Sequence, residues 1–486
     1  MNMSGESTVK KSLKTGLFWT SGGQLLTVIL SLGVNIVLAR YIKPSDFGAM
    51  GIVMFFILLS DVLAKGGLAG ALIRMKEVTR DDYSTVFVFN LVVSSAIYLI
   101  LFLLSGYIAA FYESKVIRPL LLVSGLTIIV NAFQLINITN LIRLFKFKQR
   151  FIYQFSSTFF AGVISILMAY YGMGIWALAL FPLSNSIFLT FILIYFEGFA
   201  GGVSFNKESF NRTYKFGVNT SLATLLDTIF ENIYSLVLGR YFNLSQVGFL
   251  YQAQRLQKVP NNVLNSFSQR VLFPVLAQKQ DDTATFNNLF SRVVTVFTVL
   301  VGMIVVLIFT FAEDIIVLLL GKDWLGSVFY LKAFIVASFF YMQEQFNRVI
   351  FKVYDQTNHI LFLEILKKCV QLVTIFIGIY LENLEVLIWG FVLTSIFSFL
   401  INFYFSRKII SSKSMHLHLD LVARVVFIAL CSSFIASYVF YIMQFDFLER
   451  LVSIPILVGL YFGMVFLFID KKLVDFDGLI KFVKLK

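Results

Sequence analysis

The chain has 486 residues, 58% of them hydrophobic and only 14% charged, with a net charge of +13. At a mean hydropathy of +0.84 there is too little polar surface to coat a globule of this size, which excludes a water-soluble domain. The chain must be solvated by lipid.

A bilayer core takes about 20 apolar residues per helix. Fourteen such segments are predicted, centred near residues 28, 56, 95, 129, 161, 185, 228, 257, 300, 338, 370, 396, 431 and 460. The segment near 257 is the least apolar, interrupted by Arg255 and Lys258. The runs are rich in Phe, Leu, Ile and Val without strict alternation, which predicts an all-α integral membrane protein and not a barrel. The first segment has no small-residue cleavage site and reads as a retained helix. Bases gather in alternate connections: Lys10, Lys11 and Lys14, then Lys65, Arg74, Lys76 and Arg80, then Arg143, Lys146, Lys148 and Arg150, and again in the Lys-rich tail. The positive-inside rule places these connections and both termini in the cytoplasm. The same asymmetry accounts for most of the net charge, which therefore reports topology and attraction to anionic lipid, not nucleic-acid binding.

Val37-Leu38-Ala39-Arg40-Tyr41, with Ser45 and Gly48, recurs 200 residues later as Val237-Leu238-Gly239-Arg240-Tyr241, with Ser245 and Gly248. A weaker correspondence relates residues 131–149 to 342–356. The arithmetic is six helices, six helices and two. It predicts a cytoplasmic tail over 1–15, an N-lobe over 16–210, a C-lobe over 211–407 and two final helices with a basic tail over 408–486. An even number of helices separates the copies, so they are parallel repeats about an axis near the membrane normal, which suits a central cavity opening to each side in turn.

A charge at mid-bilayer costs about 2.5 to 3.5 kcal/mol on insertion scales, so buried charges mark pairing, water or function. The seventh segment carries Asp227 and Glu231 on one face, and the eighth carries Arg255 and Lys258. Equal distances from the intervening turn make cross-helix pairs of Glu231 with Arg255 and Asp227 with Lys258 plausible. Such pairs either lock the two helices together or face the cavity, where Arg255 and Lys258, among Gln252, Gln254, Gln257, Asn261 and Asn262, would hold a phosphate. Asp61 reads as interfacial or cavity-facing. Asn131, Gln134, Asn137 and Asn140 read as ties between helices or as cavity residues. Glu344 with Arg348, and Glu364 with Lys368, are spaced for simple neutralisation and rank below the Asp227 group. Cys369 and Cys431 read as small buried apolar residues, and His416 and His418 as ordinary interfacial residues in a connection. No phosphate-binding Gly-rich loop, HExxH or CxxC is present, so no enzyme, cofactor or metal site is expected.

The runs Gly16-Leu-Phe-Trp-Thr-Ser-Gly-Gly-Gln24, Leu38-Ala-Arg-Tyr-Ile-Lys-Pro-Ser-Asp-Phe-Gly48, Val247-Gly-Phe-Leu-Tyr-Gln-Ala-Gln-Arg-Leu256 and Arg270-Val-Leu-Phe-Pro-Val-Leu-Ala277 resemble the polysaccharide-export flippases of the Wzx type. These belong to the multidrug, oligosaccharidyl-lipid and polysaccharide exporter superfamily, and the resemblance covers the first twelve helices. It implies two six-helix lobes in a V shape and a bacterial inner-membrane flippase for a polyprenyl-diphosphate-linked glycan. It further implies a working monomer, contact with the polysaccharide polymerase machinery, and a coupling ion, proton or sodium. Cationic cavity residues serve the family, which would fit Arg255, Lys258 and Arg270, with Asp227 and Glu231 as coupling or pairing carboxylates. The competing reading is an ion-coupled antiporter for small drugs or metabolites, which predicts a cavity dominated by carboxylates.

Overall fold

The computed structural model describes residues 22–410 and 412–469. Its elements are helical among the described residues: α1 (Gly22–Ala39), α2 (Pro44–Lys65), α3 (Leu68–Arg74), α4 (Arg80–Phe111), α5 (Ile117–Arg143), α6 (Phe147–Tyr170), α7 (Ile175–Glu197), α8 (Lys207–Tyr241), α9 (Leu244–Phe267), α10 (Phe273–Ala277), α11 (Thr283–Thr310), α12 (Ala312–Leu319), α13 (Ser327–Val353), α14 (Thr357–Tyr380), α15 (Leu384–Ser406), α16 (Ser412–Met443), α17 (Phe447–Val452) and α18 (Ile454–Phe468). A π-helical turn over Ser268–Leu272 joins α9 to α10.

Local chemistry sets these limits. Pro44 occupies the first turn of α2, where its missing N–H is no loss. Thr79 and Asp82 form a reciprocal capping box on α4, Asn206 caps α8, and Asn383 caps α15, each oxygen filling a backbone donor the helix leaves open. Among the described residues, ten helices, including the combined span Phe447–Phe468, are long and apolar enough to cross a membrane. Four more, α8, α9, α13 and α14, run 35, 24, 27 and 24 residues. At 1.5 Å per residue each exceeds a hydrocarbon core of about 30 Å, and each carries charged side chains along its length.

The duplication is visible in the element limits. Helices α5 and α13 are offset by 210 residues at both ends, as are α6 and α14, and α7 and α15 are offset by 209. The turn residues repeat as well: Phe145 and Asp355 both adopt positive φ, 55° and 54°, at the same offset of 210. By this correspondence α8, α9, α13 and α14 answer α1, α2, α5 and α6, which are all apolar enough to span. The second copy has therefore acquired its polarity in four particular helices.

Packing divides the chain into two compact units, residues 1–251 and 252–486, with the division inside α9. In the first unit α8 is fastened to α4 near both ends. Arg212 donates to Asp82 at 2.7 Å, and Arg240 donates to Glu113 at 2.7 Å and to the Phe111 carbonyl at 3.0 Å. The linker before α8 is docked too, because Asn137 holds the Gly198 and Ala200 backbone and Asn206 N–H donates to Thr85 Oγ1 at 2.9 Å. At the start of α2 and α9, Gly48 faces the Leu244 carbonyl and Gly248 faces the Pro44 carbonyl, so residues 200 apart meet reciprocally. A Cβ on either glycine would overlap that backbone oxygen.

In the second unit α11, α13, α15, α16 and α18 share one apolar core, with Phe290, Phe346, Phe399 and Tyr461 fully buried. Gly302 of α11 leaves room for the Tyr461 ring edge, whose hydroxyl donates to the Val299 carbonyl at 2.8 Å. Two sequence expectations change here. His418 is not in a connection: α16 begins at Ser412, and His418 is 3% exposed within it. Cys369, expected to be buried, is exposed on α14.

Gly48→Ala or Gly248→Ala should destabilise the protein by about 1–3 kcal/mol through forced separation of two backbones. Gly106→Ala, where nothing lies within 4 Å of the added methyl, should leave melting unchanged or slightly raised. Thermal unfolding of the purified protein by intrinsic fluorescence checks the pair, and equal behaviour of all three variants would contradict the close crossing.

Candidate functional site

The densest charged cluster among the described residues lies in the second unit, between α13 and α14. Glu344, with 0% side-chain exposure, accepts from Arg348 at 2.6 Å and from Lys367 at 3.0 Å. Arg348 also contacts Glu364, and Lys368 reaches Glu364 at 3.4 Å. Local spacing alone would have paired acid and base four residues apart within each helix. Both of those pairs form, and in addition the Arg348 guanidinium reaches Glu364 on the facing helix and Lys367 crosses to Glu344. The Lys367 ammonium also lies 5.5 Å from the centre of the Tyr341 ring, and Tyr341 OH accepts from Asn265 Nδ2 at 3.0 Å. Lys352, one turn beyond Arg348, donates to Gln269 Oε1 at 2.7 Å. Two acids thus meet three bases in a half-buried network, an arrangement that holds a surplus positive charge.

Helix α9 leans on α13 through its amides. Gln257 donates to Ser338 Oγ at 2.6 Å and to the Phe334 carbonyl at 3.3 Å, and Asn265 lies two turns further along. Around the helix, Lys258 is turned about 100° and Arg255 about 160° from Gln257, so the two cations leave the stripe that packs on α13. Arg255 is half-buried and Lys258 exposed. Gln252 is 1% exposed, and Gln254 is half-buried. Asp227 and Glu231 are exposed on α8 of the first unit. The side chain of Arg270 lies outside the described residues.

The polar residues of the first unit tie helices to each other. Asp61 pairs with Lys65 and accepts from Asn131 Nδ2 at 3.2 Å, while Ser186 Oγ donates to Asn131 Oδ1 at 2.8 Å, a chain linking α2, α5 and α7. Gln134 donates to the Ser186 carbonyl at 2.8 Å. Asn137 is 2% exposed, and its amide is taken up by the Leu193, Gly198 and Ala200 backbone. Asn140 accepts from Tyr83 OH at 3.4 Å, and Arg143 caps the end of α3 through the Leu72 and Met75 carbonyls. Hydrocarbon offers no water to such groups, so each amide bonds its neighbouring helix.

Sequence reasoning ranked the α13–α14 charges too low because it counted i,i+4 pairs within one helix. The overlooked signal was the run Gln343-Glu344-Gln345-Phe346-Asn347-Arg348, which is polar at nearly every position and cannot turn all its faces to lipid.

A family model described as "Polysaccharide biosynthesis protein" matches residues 37–329. The chain is 24% identical over 332 residues to the lipopolysaccharide biosynthesis protein WzxC of Escherichia coli (strain K12), across 65% of each chain. It is 24% identical over 288 residues to the succinoglycan biosynthesis transport protein ExoT of Rhizobium meliloti (strain 1021), across 59% of this chain and 58% of that one. It thus spans a little under two thirds of the curated relatives it matches. In fold it is similar to a solved structure described as "Lipid II flippase MurJ, inward closed conformation", with a TM-score of 0.71 and 16% identity over 92% of this chain and 98% of that one.

Glu344→Gln removes a buried charge that answers both Arg348 and Lys367, and should cost about 3–5 kcal/mol of stability. Glu364→Gln, at a site with 26% side-chain exposure, should cost distinctly less. Thermal melts in detergent decide the order, and a neutral Glu344→Gln would show that the network does not hold α13 to α14.

Proposed function

The chain belongs to the polysaccharide biosynthesis protein family, and from that premise we propose that it is a flippase for an undecaprenyl-diphosphate-linked oligosaccharide, a repeat unit of surface polysaccharide. The cargo moves from the cytoplasmic to the periplasmic leaflet of the bacterial inner membrane, and the chain is a transporter rather than an enzyme. The observation that carries the reading is the one-sided polarity of the duplication. Helices α8, α9, α13 and α14 carry charged side chains along their length, and their counterparts α1, α2, α5 and α6 are apolar enough to span.

All four polar helices cross the bilayer in this reading, giving fourteen spans, with both termini cytoplasmic and two six-helix lobes, 16–210 and 211–407, rocking about a shared cavity. The substrate's diphosphate needs a positive, partly desolvated partner, while its prenyl tail stays in lipid. Arg255 offers a bidentate fork and Lys258 a point charge, with Arg270 further along the chain and the surplus cation of the α13–α14 network behind them. Asp227 and Glu231 carry the coupling ion, and protonating either changes the charge presented to the diphosphate. The naming of a similar fold as a lipid II flippase supports a lipid-linked cargo. An antiporter for cationic drugs would put acids, not bases, in the majority.

Translocation of a lipid-linked oligosaccharide in proteoliposomes, read by access of an external sugar-modifying enzyme, tests the proposal. Arg255→Ala should slow it by about 10- to 100-fold, the loss of one charge-assisted contact, and Arg255→Lys should lose less. No translocation by the wild type, alongside ion-driven drug uptake, would move the protein to the antiporter class. The double variant Asp227→Asn, Glu231→Gln should lose the pH dependence of transport that the wild type shows. A wild-type rate already indifferent to pH would remove the proton from the coupling scheme.

A further inference from the structure

Away from the charged network, the other side of α13 carries a second polar cluster that the proposed transport function does not use. His418 Nε2 on α16 lies 3.0 Å from Gln343 Oε1, which also accepts from Thr298 Oγ1 of α11 at 3.0 Å. One turn along, Asn347 Oδ1 accepts from Ser406 Oγ of α15 at 3.3 Å. The Phe399 ring of α15 packs edge-on against His418 at 5.9 Å, and Ser398 and Asn402 lie at four-residue spacing before Ser406, on the stripe of α15 that meets Asn347. Gln343, Asn347, Ser398 and Asn402 are 0% exposed and His418 is 3% exposed.

Five atoms of this cluster have no hydrogen-bond partner in the protein: Gln343 Nε2, Asn347 Nδ2, Ser398 Oγ, Asn402 Oδ1 and His418 Nδ1. Such concentration is unusual, because a dry unpaired polar atom costs about 1–3 kcal/mol and native interiors hold only a few. The chemistry of the five identifies what would satisfy them. Gln343 and Asn347 present amide donors, which repel a cation. Asn402 presents a bare carbonyl, and His418, whose Nε2–H is directed to Gln343 Oε1, presents the Nδ1 lone pair; both repel an anion. Ser398 can donate or accept. A ligand matching donors and acceptors together, without charge, is small, neutral and able to do both.

We propose that α13, α15 and α16 enclose a cluster of bound water molecules, held by Gln343, Asn347, Ser398, Asn402 and His418, which fastens the first unrepeated helix to the second repeat. Two amides on α13, one turn apart, and the Ser398–Asn402 turn on α15 supply the two to four polar partners that an ordered water requires. The α16 contribution is His418 alone, so the waters bridge α16 to the repeat at one residue.

Two measurements on the full chain in lipid nanodiscs test this. Ser398→Ala and Asn402→Leu each remove a polar atom that has no partner in the protein. If waters bridge the cluster, each variant strands them and lowers the melting temperature by about 2–4 °C. If the seam is dry, each variant removes a buried penalty and raises it, which overturns the proposal. Pulsed hydroxyl-radical footprinting reads the water directly, since radiolysis of bound water oxidises adjacent rings that bulk solvent cannot reach. Phe399 should be oxidised at least fivefold faster than Phe334, although each is 1% exposed. Equal protection of the two rings would overturn the proposal even if the substituted chains fold poorly.

Discussion

A polar group inside hydrocarbon has no water to turn to, and that constraint organises this molecule. Backbone groups meet it by forming helices, and side chains meet it by bonding the next helix. Asn137 binding the end of α7, Gln257 binding Ser338 and Arg348 forking between Glu344 and Glu364 are three solutions to one problem. The outcome differs with charge. An amide disappears into a tie between helices, whereas an odd number of charges leaves a remainder. The remainder in α13–α14 is positive, and it sits in the copy whose helices gave up their apolar faces.

Duplication makes this divergence readable. Two copies of one helical plan begin with the same requirements, so a helix that is apolar in one copy and charged in the other has changed for a reason other than folding. The first copy shows that α5 and α6 suffice as apolar spans to build the unit. Their counterparts α13 and α14 carry Glu344, Arg348, Glu364, Lys367 and Lys368 in the same frame, with limits displaced by 210 residues. Stability alone would disfavour that exchange, because a buried ionic network is rarely worth more than the apolar packing it replaces. A substrate with a diphosphate supplies the missing reason in the proposed function.

The sequence made helix positions legible and partner choice illegible, for a physical reason. Length and hydropathy are properties of one segment, so segments centred near 228 and 257 are recognisable as helices even with Asp227, Glu231, Arg255 and Lys258 in them, and α8 and α9 form there. Pairing depends on which faces meet, and a few residues of phase decide that. Lys367 and Glu344 are 23 residues apart and pair across a turn, where i,i+4 counting would have kept each acid with its own helix. His418 was misplaced because the polar string before it, Ser-Ser-Lys-Ser-Met-His, resembles a connection. The helix starts inside that string, and the aromatic rings of Phe290 and Phe399 close over the imidazole. No periodicity marks that burial, since the partners come from α11 and α15.

The departures from the repeat are also related to each other. Between α4 and α5 the connection is five residues, and at the matching place after α11 the chain inserts α12 and a short 3-10 turn before α13. This insertion accounts for the drift of the offset from about 200 to 210, and it meets the unrepeated C-terminal helices. Asp314 of α12 lies 3.6 Å from Arg450 of α17. Burial pushes the Asp314 carboxyl above its ordinary range, by more than the Arg450 guanidinium lowers it. Inside the membrane the same two additions, α16 and α18, lie on α11 through Tyr461 over Gly302 and through His418 with Thr298 at Gln343. An insertion after α11 and a helix pair resting on α11 are therefore one modification of the duplicated plan: the extra helices need a platform, and α11 with α12 is the element altered to provide it.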